Sequence, residues 1–269
     1  AFEQNITHAP GMEHVREMVT GPIIPTPGAV MECTKLLYEY LGDLIVLDVG
    51  GATTDLHSVT VESDQVARLM ISPEPKAKRT VEGEQGFSME HALETYRAIP
   101  KTEEEVKLVE LLTREAVVKA AERHAGRLRY IYGPSGRSTV AEGKDLTQVK
   151  YIVGTGGALT RLPHREEIMR EITRCNESGM LLLPGEHAQI LVDHDYIMAS
   201  LGVLSKRYPQ AAARLLEQSL GMTFPERKAE EPVPVCNKEL SRLETQRQQR
   251  EEELRRHIEE CEAMGYDMS

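Results

Sequence analysis

An α/β lobe, built on a mixed sheet that includes an antiparallel three-strand meander with flanking helices, is what this 269-residue sequence specifies. Three observations lead there. Leu44-Ile45-Val46-Leu47 is an unbroken apolar run of strand length, the pattern of a strand buried on both faces. Strand-like patterning resumes from Leu56 to Val61 and again from Gln65 to Ser72, each time after a short turn, which gives the meander. Beyond Thr102, helical and strand patterns alternate, as they do where helices cover the faces of a sheet.

The elements follow in chain order. A short helical stretch falls around Met12–Val19. The prolines of Gly21-Pro22-Ile23-Ile24-Pro25-Thr26-Pro27-Gly28 fix φ and hold back a helix until about Gly28. Ala29 to Tyr40 then sets Val30, Cys33, Leu36 and Leu37 on one face, and Gly42 stops the helix. Ser72 to Pro100, rich in Pro, Gly and charge, is expected to form an inserted small subdomain at about 73–100. Thr102 and Glu105 have capping-box spacing, so a helix runs from there to about His124, and Glu103-Glu104-Glu105 gives it an acidic first turn. Gly126 to Glu142 reads as a hairpin turning at Gly133-Pro134-Ser135-Gly136. Tyr151-Ile152-Val153 is a short buried strand, and Pro163 opens a helix to about Cys175. Met180 to Pro184 is expected as a strand, Asp195 as the cap of a helix to Ser205, and a second helical stretch reaches Leu220. From Pro225 a linker leads to a charged helix, Leu240–Cys261, with Glu251–Arg255 and Glu252–Arg256 pairs. The expected organisation is 1–42, a connecting region and helix; 43–224, the lobe itself; and 225–269, linker and charged tail.

Composition excludes several functions. The chain carries 32 basic and 43 acidic residues, a net charge of −11, which disfavours general binding to nucleic acid or an anionic membrane. No apolar run reaches the roughly 18 residues of a membrane span. The first residues, AFEQNITHAP, lack the basic start and apolar stretch of a secretory signal, so a cytoplasmic location is expected. Cys33, Cys175, Cys236 and Cys261 form no C-x-x-C pair, which argues for reduced thiols and against a zinc or iron–sulfur site. The absence of Trp, with 4% aromatics, argues against a base-stacking platform.

Two glycine turns carry the chemistry. In Asp48-Val49-Gly50-Gly51-Ala52-Thr53-Thr54-Asp55 a buried strand delivers a carboxylate and then turns sharply. Gly50 and Gly51 remove Cβ atoms, so their N–H groups can approach a phosphate, and Thr53 and Thr54 add hydroxyl donors. Asp48 repels a phosphate unless a cation lies between them. Mg²⁺ held partly through water fits that need, which makes Asp48 the candidate metal-binding and catalytic residue. The second turn, Gly154-Thr155-Gly156-Gly157, also follows an apolar strand and allows close approach to a ribose or phosphate. It is neither a Walker A loop nor a Rossmann glycine pattern. His194, between Asp193 and Asp195, reads as part of a helix-cap region, and His57 as a packed or surface histidine. No Ser-His-Asp or Cys-His set is apparent.

The first turn resembles the second phosphate motif of the actin/hexokinase/heat-shock-chaperone ATPase superfamily. Tyr151 to Gly157 with Thr160-Arg161-Leu162-Pro163 resembles its adenosine motif. Pro25-Thr26-Pro27-Gly28-Ala29-Val30 and Ala199-Ser200-Leu201-Gly202-Val203-Leu204 resemble its two connecting helices, with Ala29 and Gly202 as hinge positions. More narrowly, Pro25 to His57 together with Gly143-Lys144-Asp145-Leu146-Thr147 resembles the MutL-type accessory proteins of glutamate (methylaspartate) mutase. These resemblances span about residues 1–220. They imply a ribonuclease-H-like, actin-type ATPase lobe using ATP and Mg²⁺. They also imply a chaperone-like role in maintaining or reactivating a coenzyme B12-dependent mutase, whose subunits would be its partners. No first phosphate hairpin precedes Pro25, so the resemblance implies a C-terminal lobe whose N-terminal partner lobe supplies the other half of the site. Such a lobe alone is expected to bind nucleotide weakly and to hydrolyse it poorly. The alternatives are a lobe of a small-molecule kinase of the same superfamily, or a non-catalytic interaction module.

Overall fold

The computed structural model describes residues 23–225, except 52, 84–98, 135 and 177. The expected helices at Met12–Val19 and Leu240–Cys261 lie outside the described residues. The chain divides at Glu226 into two units, and every described residue belongs to the first.

Five strands form one sheet: β1 (Leu44–Val49), β2 (Thr53–Val59), β3 (Ala77–Gly83), β6 (Tyr151–Thr155) and β7 (Gln189–Val192). Their order is β3-β2-β1-β6-β7. β2 is antiparallel to both β1 and β3, whereas β1, β6 and β7 are mutually parallel neighbours. The mixed sheet and the meander are therefore as expected, but the meander's third strand is not Gln65–Ser72. That stretch holds a one-turn helix, α2 (Asp64–Ala67), capped by the Ser63 hydroxyl, which accepts from the Val66 N–H. The third strand lies inside the segment expected as an insertion, and the main sheet claims residues 77–83 from it. Charged Lys78, Arg79 and Glu82 hid this strand, because an edge strand keeps much of its length in water and loses the apolar signal.

Each face of the sheet buries its own core. On one side α1 (Thr26–Leu41), α6 (Met198–Ser205) and α7 (Pro209–Leu220) cover Leu44, Val46 and Val153. On the other, α3 (Glu103–His124), α4 (Gly156–Arg161) and α5 (Arg165–Arg170) cover Ile45, Leu47, Leu56 and Ile152. Successive β1 residues serve opposite cores, so the run is apolar without alternation. α1 starts at Thr26, three residues earlier than expected: Pro25 is its N-cap, and a proline in the first turn suits a helix start. Gly42 ends α1 at φ 77°, its N–H donating to the Tyr38 carbonyl at 2.9 Å. α3 begins with the expected capping box: the Glu105 N–H donates to the Thr102 hydroxyl, and the Thr102 N–H to the Glu105 carboxylate.

β4 (Arg127–Gly133) and β5 (Gly136–Glu142) form the expected hairpin as a separate two-stranded sheet. Its base packs on a small satellite core of Val66, Ala141 and Leu182. Two expectations beyond Pro163 need correction. The helix from Pro163 to Cys175 is α5 followed by a single 3₁₀ turn at Glu171–Thr173. Met180–Pro184 is not a strand: it makes an isolated bridge, Leu181 to Arg127, while β7 is the sheet's true edge. Its leucines are apolar because the segment threads between the hairpin base and the main core. There the Leu182 N–H donates to the Gly126 carbonyl and the Leu182 carbonyl accepts from the Leu146 N–H.

Candidate functional site

The two glycine turns meet at one end of the sheet. Asp48, next to last in β1, is in register with Asp55 on β2 and with Thr155 on β6. Register partners share a face, so a polar row crosses three strands on the α1–α6 side. The row continues past β7 to Asp193, whose N–H donates to the Gly154 carbonyl and whose carboxylate accepts from the Thr155 hydroxyl at 2.8 Å. Backbone pairing alone thus sets the first turn, Gly50–Asp55, beside the second, Gly154–Gly157.

The charges in this row are unequal in what neutralises them. Asp55 is buried and held by Arg79, whose Nε donates to Oδ1 at 2.7 Å, with the Thr53 hydroxyl on Oδ2 at 3.4 Å. Asp193 is fully buried and its carboxylate accepts four hydrogen bonds. Asp48 has Asp55 and Asp193 as negative neighbours. Burial first, then those two charges, push its carboxyl up to about 6, against a smaller opposing pull from Arg79. A carboxylate held this way gains from a nearby cation more than an exposed one does.

The glycines separate into two kinds. A Cβ on Gly51 or Gly157 would meet nothing within 4 Å, and both residues are exposed, so their backbone is open to an incoming group. Gly154 and Gly156 serve packing instead. A Cβ at Gly154 would lie 2.6 Å from Met169 Sδ; one at Gly156 would lie 2.4 Å from the Val49 carbonyl oxygen and 2.7 Å from Asp48 Oδ1. Gly156 also has φ 85°, a conformation that other residues adopt at a cost. Gly50 donates its N–H to the Thr53 carbonyl at 3.0 Å and closes the first turn. The threonines are not all open donors: Thr53 is exposed, Thr54 is buried on the opposite face, and the Thr155 hydroxyl is committed to Asp193.

What remains is one carboxylate beside open backbone, a donor set that would suit Mg²⁺. Among the described residues no group of three or more His, Cys, Asp or Glu is arranged to hold a metal. A cation here would therefore take Asp48 as its protein carboxylate and draw its remaining ligands from water and phosphate, which is the habit of Mg²⁺.

The two positions expected as hinges, Ala29 and Gly202, also meet. At the crossing of α1 and α6, a Cβ at Gly202 would fall 1.8 Å from the Ala29 carbonyl oxygen, so glycine lets the backbones touch. α6 does not start on Asp195. The side chain that accepts from the Ile197 and Met198 N–H groups is that of Asp193. The expectation of a helix-cap region at Asp193–Asp195 holds, with the capping carboxylate two residues earlier.

Gly143 to Thr147 is structural. Lys144 is fully buried, its Nζ donating to the carbonyls of Thr60 and Pro75 at 3.1 and 2.7 Å. Asp145 accepts from the N–H and hydroxyl groups of both Ser63 and Thr147. The motif ties β6's approach to the base of the insertion.

His57 is fully buried on β2, with neither ring nitrogen hydrogen-bonded. His124 bridges the hydroxyls of Thr80 and Ser58 at 2.8 and 2.7 Å. Burial, aided by Arg79 for His57 and chiefly by Lys78 for His124, lowers each to about 3. The unfolded chain takes up these protons from about pH 6.5 downward and the folded chain does not, so stability falls with pH across that window. Asp48 works the other way, but only between about 6 and 4, and offsets one histidine. Urea midpoints at pH 7, 6 and 5 are expected to drop steadily. His57→Leu should reduce the slope by about 1 kcal/mol per pH unit. A midpoint flat over this range would contradict the assignment.

The chain matches the family model described as "MutL protein" over residues 1–94 and 87–220. It belongs to the MutL protein family. Protein MutL of Clostridium tetanomorphum is 34% identical over 256 residues, covering 81% of this chain and 55% of the relative. The chain thus spans about half the length of the curated relative it matches. The narrower resemblance drawn from Pro25–His57 and Gly143–Thr147 therefore holds, and both glycine turns, the Asp193 cap and the Ala29–Gly202 crossing fall within the family's matched residues. Among the described residues no helix is long and apolar enough to cross a membrane.

Sequence reasoning missed Asp193 as a member of the site and Arg79 as the counter-charge of Asp55. The signal for Asp193 was its position: it follows an apolar stretch and precedes the connecting-helix motif. Arg79 had no signal, because its strand was not recognised.

Proposed function

We propose that this chain is the nucleotide-binding lobe of an actin-type, chaperone-like ATPase that maintains or reactivates a coenzyme B12-dependent glutamate mutase. The observation that supports nucleotide binding best is the register of Asp48 against Thr155, which sets both glycine turns at one sheet end. The strand order, an antiparallel meander followed by two parallel strands, suits an actin-type lobe. Membership of the MutL family supports the link to glutamate mutase. In this reading, the cofactors are ATP and Mg²⁺, and the partners are the mutase subunits and an N-terminal lobe of the same protein.

Bound Mg²⁺ would offset phosphate charge. Asp48 would be its protein carboxylate, while Arg79, paired with Asp55, would keep that second carboxylate from competing as a ligand. The open backbone at Gly51 and Gly157 would leave room for phosphate and nucleoside. The α1–α6 crossing at Ala29 and Gly202 gives the lobe a hinge through which closure reaches a partner.

Isothermal titration of the chain with Mg–ATP tests this. Saturable binding is expected, lost on chelation of the metal and lost in Asp48→Ala. Equal binding by the native chain and Asp48→Ala would overturn the site. In the longer family protein, ATP turnover stimulated by the mutase supports the chaperone, whereas stimulation only by a small sugar or acid supports a kinase.

A further inference from the structure

We infer that Asp193 is the joint through which the nucleotide-facing end of β6 positions the hinge helix α6; the inference deepens the proposed function and rests on it for the nature of the ligand. Asp193 is fully buried and joins four elements, β6, α4, α6 and α7. Its Oδ2 accepts from the Thr155 hydroxyl at 2.8 Å and from the Met198 N–H at 3.0 Å. Its Oδ1 accepts from the Ser219 hydroxyl at 2.5 Å and from the Ile197 N–H at 3.2 Å. Its backbone N–H donates to Gly154, and its carbonyl accepts from the Thr160 hydroxyl on α4.

These contacts do more than cap a helix. An ordinary cap satisfies backbone donors of its own helix, and any acceptor of the right length serves. Here each oxygen is shared between one amide at the start of α6, that of Met198 or of the cap residue Ile197, and one hydroxyl from elsewhere: Thr155 on β6 and Ser219 on α7. A displacement of Thr155 cannot be absorbed by water, because the carboxylate is sealed. It must be taken up by the Asp193 side chain, hence by the first turn of α6. Four residues on, α6 touches α1 backbone to backbone at Gly202, where no side chain cushions a shift. The path from second glycine turn to helix crossing is Thr155, Asp193, Met198, Gly202, Ala29. Asp193 is thus a positioning residue: Thr155 and the turn lie between it and any ligand.

Hydrogen exchange of the α6 amides, followed by mass spectrometry on the full chain, tests the joint. Without nucleotide, Thr155→Val is expected to speed exchange across 198–205 by about threefold or more. Adding it to Asp193→Asn should give no further increase. Unchanged α6 exchange in Thr155→Val, or additive effects in the double variant, would overturn the inference. Thr155→Val is nearly isosteric, so the first arm stands even if Asp193→Asn fails to fold. Mg–ATP should slow α6 exchange in the native chain, and this slowing should vanish in Asp193→Asn. Slowing that persists there, or binding without slowing in the native chain, would also overturn the joint. If Mg–ATP leaves the whole native chain unaffected, the nucleotide reading fails, and the nucleotide-free comparison alone decides the joint.

Discussion

Asp48→Asn is expected to melt at a higher temperature than the native chain at pH 7.5 and to lose the proposed Mg–nucleotide binding. The two effects share one cause. Burial and the charges of Asp55 and Asp193 raise the Asp48 carboxyl to about 6, so at neutral pH the fold holds an ionised group it disfavours. A carboxyl raised this far costs at most about 3 kcal/mol when ionised at neutral pH. Removing the charge relieves that cost and is expected to raise Tm by roughly 5 °C. The sign follows from proton linkage. The folded chain protonates Asp48 below about 6 and the unfolded chain only below about 4, so ionisation destabilises the native chain as pH rises between those values. The gain from Asp48→Asn is therefore full above pH 6 and vanishes below about 4. Thermal scans at pH 7.5 and 4 check both limits. A variant less stable than the native chain at pH 7.5 would show that Asp48 makes a structural contact instead.

Gly202→Ala is the second large effect. Its Cβ would lie 1.8 Å from the Ala29 carbonyl oxygen and 2.6 Å from the carbonyl carbon, both backbone atoms within a helix. Neither helix can yield locally: α1 packs Val30, Cys33 and Leu37 into the core, and α6 packs Met198 and Leu201. The helices must separate, with a loss of about 3 kcal/mol or more and a fall in Tm of roughly 10 °C. Gly157→Ala is the contrast. Its Cβ meets open space and its conformation is helical, so its Tm should stay within a few degrees of native. Equal melting temperatures for the two variants would mean that the helices do not cross at Gly202.

What could be read from the sequence follows the strength of local signals. β1 was legible because both its faces are buried, and α3 because its capping box and acidic first turn agree. β3 and β7 were not: each is a sheet edge. β3 is charged because it is half in water, while β7 is only four residues long and was outcompeted by the more apolar Met180–Pro184. Apolarity there reports burial and not strand pairing. At the site, Asp48 and the glycine turns were visible because strand-to-turn transitions concentrate Gly and Asp. Which glycines have open space beside them was not visible. Gly154 and Gly156 look like Gly51 and Gly157 in sequence, but Met169 and Val49 fill the space beside them. The same holds for Thr155, whose hydroxyl donates to Asp193.

The central claim is that one metal–nucleotide touches both turns, and manganese tests it most directly. With Mn²⁺ in place of Mg²⁺ and ATP present, amide resonances of Gly50 and Gly51 should broaden together with those of Gly156 and Gly157. Asp48→Asn should abolish both effects. Broadening of one turn alone, or of neither while ATP is bound, would contradict the account.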